Sequence, residues 1–398
     1  MVKKEKEKMN FSLLTQYLDS LEEEYGVHGL DMIVTKDHEW IYRHMAGHSD
    51  YELKVPVDGS EFYMFYSCTK VMTMTAMMQL VEKGKANLYD PIAKYIPEWN
   101  YVTVVNDPVF ADDPQRNPSA NEPSHFAKRQ VRIIDCMAMM AGLTYDARNE
   151  AFQKLLEEKP EATTHELIGT LAQIPLIYEP GTRMRYSLGH DVIAAVIEVI
   201  SNERYSDYMT NHIFHPLGIT DLTCHPTDGQ KARFAALYQF DPATRTTVPI
   251  PCKYNFDIAP NYESGGAALM GSAEAYVAVV DALANGGIGA NGVRILNEDT
   301  VMLFTHSITT GKALDDFHKL GRLEYGYGLG VRVKIRGNLG LSPIGEFGWD
   351  GAAGAYTAID PFNHLAIFYV QHVLNFREVY SVIHPHVRDL VYEGLKKE

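Results

Sequence analysis

Cysteine is scarce in this 398-residue chain: the four, Cys68, Cys136, Cys224 and Cys252, include no Cys-x-x-Cys pair. That spacing makes a disulfide scaffold a poor reading and reduced thiols the expected state. Long apolar runs are missing too, and no stretch approaches the roughly 18 residues of a membrane span. Positive charge is in deficit, with 36 Lys and Arg against 51 Asp and Glu, a net charge of −15. A sequence-independent grip on nucleic acid or anionic lipid is therefore not expected. The start, "MVKKEKEKMNFSLLTQYLDSLEEE", alternates Lys with Glu and lacks the apolar core and cleavage site of a signal peptide. Residues 1–9 read as a charged tail, with Met9 an alternative start, and a cytoplasmic location is the expectation. No repeat and no low-complexity tract interrupts the rest.

What is present is the profile of a globular protein, 46% apolar and 22% charged residues. "HGLDMIVTKDHEWIYRHMAGHSD" (28–50) predicts a β-hairpin, two alternating apolar runs about a Lys36-Asp37-His38 turn. Residues 67–84 have helical length and spacing, with a Met-rich face suited to core packing and Gly84 as the stop. Residues 101–126, rich in Pro, Asn and Asp, have no period and read as a long loop, either a lid or a surface excursion. Helices are predicted at 132–142, 164–174, 189–202, 204–218 and 272–287. Short strands joined by Gly, Asn and Pro turns follow, and a closing helix ends the chain.

Strands at both ends and helices between them predict an α+β fold: one antiparallel sheet built from both chain ends and flanked by helices. The α/β part would take 10–84 and 300–398 of a single 10–398 domain, and a mostly helical inserted subdomain 85–300. A ligand cleft would fall between the two.

Three stretches carry possible chemistry. In "FYMFYSCTKVM" a strand-like run gives way to a helix, and Ser67 is the only serine with a lysine three residues later. Residues i and i+3 share a helix face, so the Lys70 amine can reach the Ser67 hydroxyl. Desolvation beneath Met and aromatic side chains penalises the cation and favours the amine that can act as base. A capping serine with a solvated lysine explains this stretch equally well. In "EPGTRMRYSLGHDVIAAVIEVIS", Tyr186 falls just before a helix, where a tyrosine can shuttle protons or simply pack. In "GEFGWDGAAGAYTAIDP", Gly345, Gly348, Gly351 and Gly354 mark a strand approached closely by something, or a softened edge. The amides of Ser67 and of Ala352, or its neighbour, could then hold an oxyanion.

Together these stretches resemble the serine β-lactamase-related, penicillin-binding-protein-like hydrolases, in particular class C β-lactamases and the esterases and transacylases of that fold. "SCTK" stands for the family's Ser-x-x-Lys, "YSL" for Tyr-x-Asn and "WDG" for Lys-Thr-Gly or His-x-Gly, in the family's order and spacing, over nearly all the chain after residue 25. The resemblance implies Ser67 as nucleophile, Lys70 and Tyr186 as general base and acid, and the Ser67 and Ala352 amides as oxyanion hole. Leu188, Trp349, Asp350 and Gly351 would border the substrate, and no metal or organic cofactor is needed.

Two departures bear on substrate. Leu188 replaces an Asn that bonds the substrate amide, and Trp349 replaces the cation that meets its carboxylate. Each buried hydrogen bond lost would cost roughly 1–3 kcal/mol. Small esters or lactones are thus expected ahead of β-lactam-like amides. A β-lactamase or D-alanyl peptidase, or a catalytically silent binding protein on the same scaffold, are the alternatives. Metal chemistry has little support: His212 and His215, or His384 and His386, pair up with no third ligand in the sequence pattern. His190 could line the cleft or only start a helix, and Cys68 should point away from Ser67, buried and inert.

Overall fold

The computed structural model describes residues 9–253 and 258–396; of the expected charged tail, residues 1–8 lie outside the described residues. The chain forms an eight-stranded antiparallel sheet from its two ends. Its strands are β1 (Gly29–Lys36), β2 (Glu39–Asp50), β3 (Val55–Pro56), β4 (Tyr325–Tyr327), β5 (Arg332–Lys334), β6 (Phe347–Gly348), β7 (Tyr356–Asp360) and β8 (Leu365–Gln371). The order across the sheet is β4-β5-β6-β7-β8-β1-β2-β3, so the first and last thirds of the chain meet where β1 pairs with β8. Ile33 faces Phe368 there, and Val34 faces Ile367.

The central strands are apolar on both faces because both faces are covered. Along β8, Leu365, Ile367 and Tyr369 pack into a core shared with α1 (Ser12–Tyr25) and α5 (His384–Leu395). The alternate residues Ala366, Phe368 and Val370 pack the other way, into a larger core with α2 (Thr69–Glu82), α3 (Gly189–Ser201) and α4 (Ala273–Ala284). A period of two with both sets apolar is what a strand buried on two sides requires.

Helix α2 differs from its expected form. The Met-rich face is one of several buried faces: Lys70, Thr73 and Thr75 are as buried as Met72, Met74 and Met77. A helix buried all round needs partners for its polar groups, and Thr73 and Thr75 find them in backbone carbonyls.

The stretch 85–300 is not purely helical. Leu237–Asp241 and Thr246–Ile250 form a small sheet with Val373–Leu374, and α4 lies on the main sheet against β1, β7 and β8. Tyr276, Val277 and Val280 are buried, and most of α4 faces the core. The 101–126 loop contains a two-stranded pairing of Thr103–Val105 with Ser124–Phe126, and a helical turn, Val109–Asp112, whose Phe110 is buried beside Ile177 and Tyr178.

Candidate active site

The site begins where a strand is forced into a helix. Tyr63–Met64 pairs with Met270–Gly271, and Tyr66 then takes φ 46°, in the left-handed region. For a residue with a side chain that costs about 1–3 kcal/mol, so the surroundings must hold it. Thr69 does part of this, its hydroxyl donating to the Tyr66 carbonyl at 2.6 Å and accepting the Leu269 amide at 2.9 Å. The turn delivers Ser67 to the mouth of a cleft and places Lys70 one helical turn on, fully buried.

Lys70 Nζ donates to Ser67 Oγ at 3.1 Å and to the Gly266 carbonyl at 2.7 Å. The Tyr186 hydroxyl donates to the same Ser67 Oγ at 2.7 Å. The three residues named from sequence are thus brought together around one oxygen. An amine and a phenol that both touch a hydroxyl can take its proton and return one to a leaving group.

Behind this trio the environment is dry and aromatic. Lys70 Nζ lies 4.8 Å from the Tyr186 ring centre and 5.8 Å from that of Tyr145. Tyr145 stacks on Tyr186 at 5.2 Å and hydrogen-bonds Ser67. Burial, and then the neighbouring Tyr186 and Asp191, push its hydroxyl well above the usual tyrosine range. Asp191, fully buried, has its carboxyl raised by desolvation, which hydrogen bonds and the charge of Lys70 partly offset. His190 is buried behind Lys70 rather than in the cleft, where burial and then the lysine hold it neutral, and its Nε2 meets the Gly330 carbonyl at 3.2 Å.

The third element closes the cleft from the sheet. After β6 the chain turns at Gly351, where an added Cβ would stand 2.4 Å from the Phe65 carbonyl oxygen. Glycine is what lets this strand end lie against the turn that carries Ser67, and it brings Ala352 to the same cleft. Trp349 stacks on Tyr186 at 5.7 Å and gives its Nε1 proton to the Tyr186 oxygen at 3.3 Å. Its one donor therefore serves the tyrosine.

Two residues expected beside the substrate do not offer it their side chains. Leu188 is only 1% exposed and packs in the main core as the residue before α3, leaving no surface for a ligand. Asp350 borders the cleft, but its carboxylate is buried among Arg322, Arg332 and His384. Burial pushes this carboxyl upward, but the two arginines, with the His384 bond, outweigh it and hold it well below the usual range. Cys68 is buried, its thiol raised by desolvation and directed at the Trp349 carbonyl at 3.7 Å.

The cleft, about 310 Å³, is bounded by Ser67, Tyr186, Trp349, Ala352, Arg322 and Tyr380. Tyr186 and Leu320 divide it from a second chamber of about 410 Å³, whose outer wall is the 101–126 loop at Asp112, Pro114, Gln115 and Asn117. Arg183 and Arg185, just ahead of Tyr186, fasten that loop: Arg183 pairs with Asp112 and Asp316, and Arg185 donates to the Phe110, Asp113 and Pro114 carbonyls. Sequence reasoning missed Tyr145, Arg322 and these two arginines. The arginines had a signal in their place beside Tyr186; Tyr145, in an aperiodic Gly-Leu-Thr-Tyr turn, had none.

Among the described residues no group of three His, Cys, Asp or Glu side chains is placed to hold a metal, and no helix is long and apolar enough to cross a membrane. His212 is paired with Glu203 at 2.7 Å, and His384 with Asp350 at 3.1 Å.

Comparison with known proteins identifies the family and fold. A profile of the beta-lactamase family matches residues 14–383. A putative D-alanyl-D-alanine carboxypeptidase of Escherichia coli (strain K12) is 26% identical over 373 residues, covering 86% of this chain and 77% of that protein. Esterase EstB of Burkholderia gladioli is 26% identical over 277 residues, 64% of this chain and 65% of its own. The structure of EstCE1, described as a hydrolase with promiscuous acyltransferase activity, superposes with a TM-score of 0.76 at 21% identity, covering 96% of this chain and 98% of that one.

Proposed function

The chain belongs to the beta-lactamase family, a hydrolase of that serine type, and from this we propose that it cleaves small esters, or transfers their acyl group, through an acyl-enzyme on Ser67. The observation that carries the reading is the shared oxygen: Lys70 Nζ at 3.1 Å and the Tyr186 hydroxyl at 2.7 Å both address Ser67 Oγ inside a cleft.

In this reading the amine form of Lys70, with Tyr186, accepts the serine proton as Oγ attacks the ester carbonyl. The oxyanion would be received by the amides of Ser67 and Ala352, both on the cleft, backbone donors that need little reorganisation when charge develops. Collapse expels the alcohol, which takes a proton through Tyr186. Water or a second alcohol then enters by the reverse path and releases the acyl group, a ping-pong cycle. The names of EstB and EstCE1 support ester chemistry and acyl transfer for their own proteins, and by likeness for this one.

An amide-cleaving alternative draws on the name of the Escherichia coli relative. Against it, Leu188 is buried and so offers the substrate amide no partner, and Trp349 directs its one donor at Tyr186. Turnover of para-nitrophenyl butyrate measured beside a chromogenic cephalosporin separates the two. Efficient ester cleavage with little or no cephalosporin turnover is expected; the opposite preference would hand the site to the amide reading.

A further inference from the structure

The cleft lacks a cation where "WDG" stands, yet a guanidinium reaches it from a different element. Arg322, in the turn that leads into β4, lines the catalytic cleft with its Cζ 5.3 Å from the Trp349 ring centre and 5.9 Å from that of Tyr380. The faces of both rings favour a cation there. Its side chain keeps 17% exposure, and among the described residues its one ion pair is with Asp350.

That pairing positions the guanidinium at the cleft wall. Asp350 is shared: Arg332 meets the same carboxylate at 3.5 Å, and His384 Nδ1 lies 3.1 Å from it. Arg332, which also reaches Glu346 and the Thr357 carbonyl, is fully enclosed, so two carboxylates stand against two guanidinium groups and of the two arginines only Arg322 reaches the cleft. Arg322 is left as the only cation among the cleft-lining residues, with donors still open. Guanidinium donors in a half-buried, aromatic-walled position suit a planar carboxylate.

We propose that Arg322 is a specificity-determining residue that receives a free carboxylate carried by the substrate, so that the preferred substrates are anionic esters such as monoesters of short dicarboxylic acids. This rests on the acyl-enzyme reading of Ser67. Trp349 touches both Tyr186 and Arg322, so one indole separates the reacting centre from the cation, a span that a short diacid bridges.

The test compares mono-para-nitrophenyl glutarate with para-nitrophenyl butyrate on the full chain and on Arg322→Gln and Arg322→Lys. The glutarate ester should be the better substrate of the unaltered protein. Arg322→Gln should lower its kcat/KM by roughly tenfold or more, mainly through KM, because a charge-assisted bond is lost. The butyrate kcat/KM should fall far less than that of the glutarate ester, so that the ratio of the two drops, and Arg322→Lys should retain most of the preference. Arg332 and His384 remain beside Asp350 in both variants, and the ratio of the two rates reports the role of Arg322, because a loss of folded protein lowers both rates equally. Equal losses on both esters, or an unchanged ratio of the two, would overturn the assignment while leaving the acyl-enzyme intact. Turnover of neither ester by the unaltered protein would instead overturn the acyl-enzyme reading.

Discussion

Replacing Gly351 by alanine tests how the oxyanion site is assembled. The added Cβ would fall 2.4 Å from the Phe65 carbonyl oxygen and 3.1 Å from Ala355 Cβ. Ordinary carbon contacts begin near about 3.5 Å, so relief demands a shift on the order of 1 Å. The Phe65 carbonyl cannot yield freely: it accepts the Cys68 amide at 3.1 Å, and the Phe65 amide is bound to the Leu269 carbonyl at 3.0 Å. The Ala352 strand end or the Ser67 turn must therefore move relative to the other. A misplacement of that size costs about a hundredfold in rate, and losing one oxyanion donor about 10²–10³. Overpacking adds about 1–3 kcal/mol of destabilisation. Steady-state kinetics on a nitrophenyl ester should show kcat down by about a hundredfold with KM nearly constant. Gly337→Ala, where the nearest atom to an added Cβ is 3.6 Å away, should behave as the unaltered protein. A Gly351→Ala variant with full kcat would refute this view of the strand.

Lys70→Ala and Tyr186→Phe should each lower kcat by about 10²–10⁴ at neutral pH, read as ester turnover, since each removes a proton carrier on Ser67. Tyr145→Phe removes one further bond to Ser67 and should cost about tenfold or less, with an unchanged rate reducing Tyr145 to packing. Burial lowers His372 from 6.5 to about 4; its ring bonds the Ala235 carbonyl at 2.9 Å and receives the Met64 amide at 3.4 Å. The unfolded chain binds that proton more readily than the folded one, so stability should fall as pH drops from 6.5 towards 4. The loss is on the order of 3 kcal/mol. Urea denaturation across that window should show the loss, and His372→Gln should flatten it.

The sheet was legible because local period and burial agree. Leu365–Gln371 alternates two apolar sets, and both are buried. Ser67 and Lys70 were legible because helix geometry alone puts residues i and i+3 together. The strand-end glycines correctly announced a close approach, though not that Phe65 was the partner. Leu188 was misplaced because a family position fixes where the backbone runs and not whether an apolar side chain turns inward. Asp350 could not be read because its environment is assembled from three separate segments, at Arg322, Arg332 and His384. The small sheet at 237–250 escaped notice because its third strand, Val373–Leu374, comes from the far end of the chain. Tyr145 meets Tyr186 and Ser67 only after three segments fold together.

The most direct test is intact-protein mass spectrometry of the chain quenched during turnover of a slow ester, followed by peptide mapping. One acyl group should be found, on the peptide bearing Ser67, and a Ser67→Ala variant should neither gain that mass nor turn the ester over. Undiminished turnover by the alanine variant, or an acyl group carried on any other residue, would contradict the account.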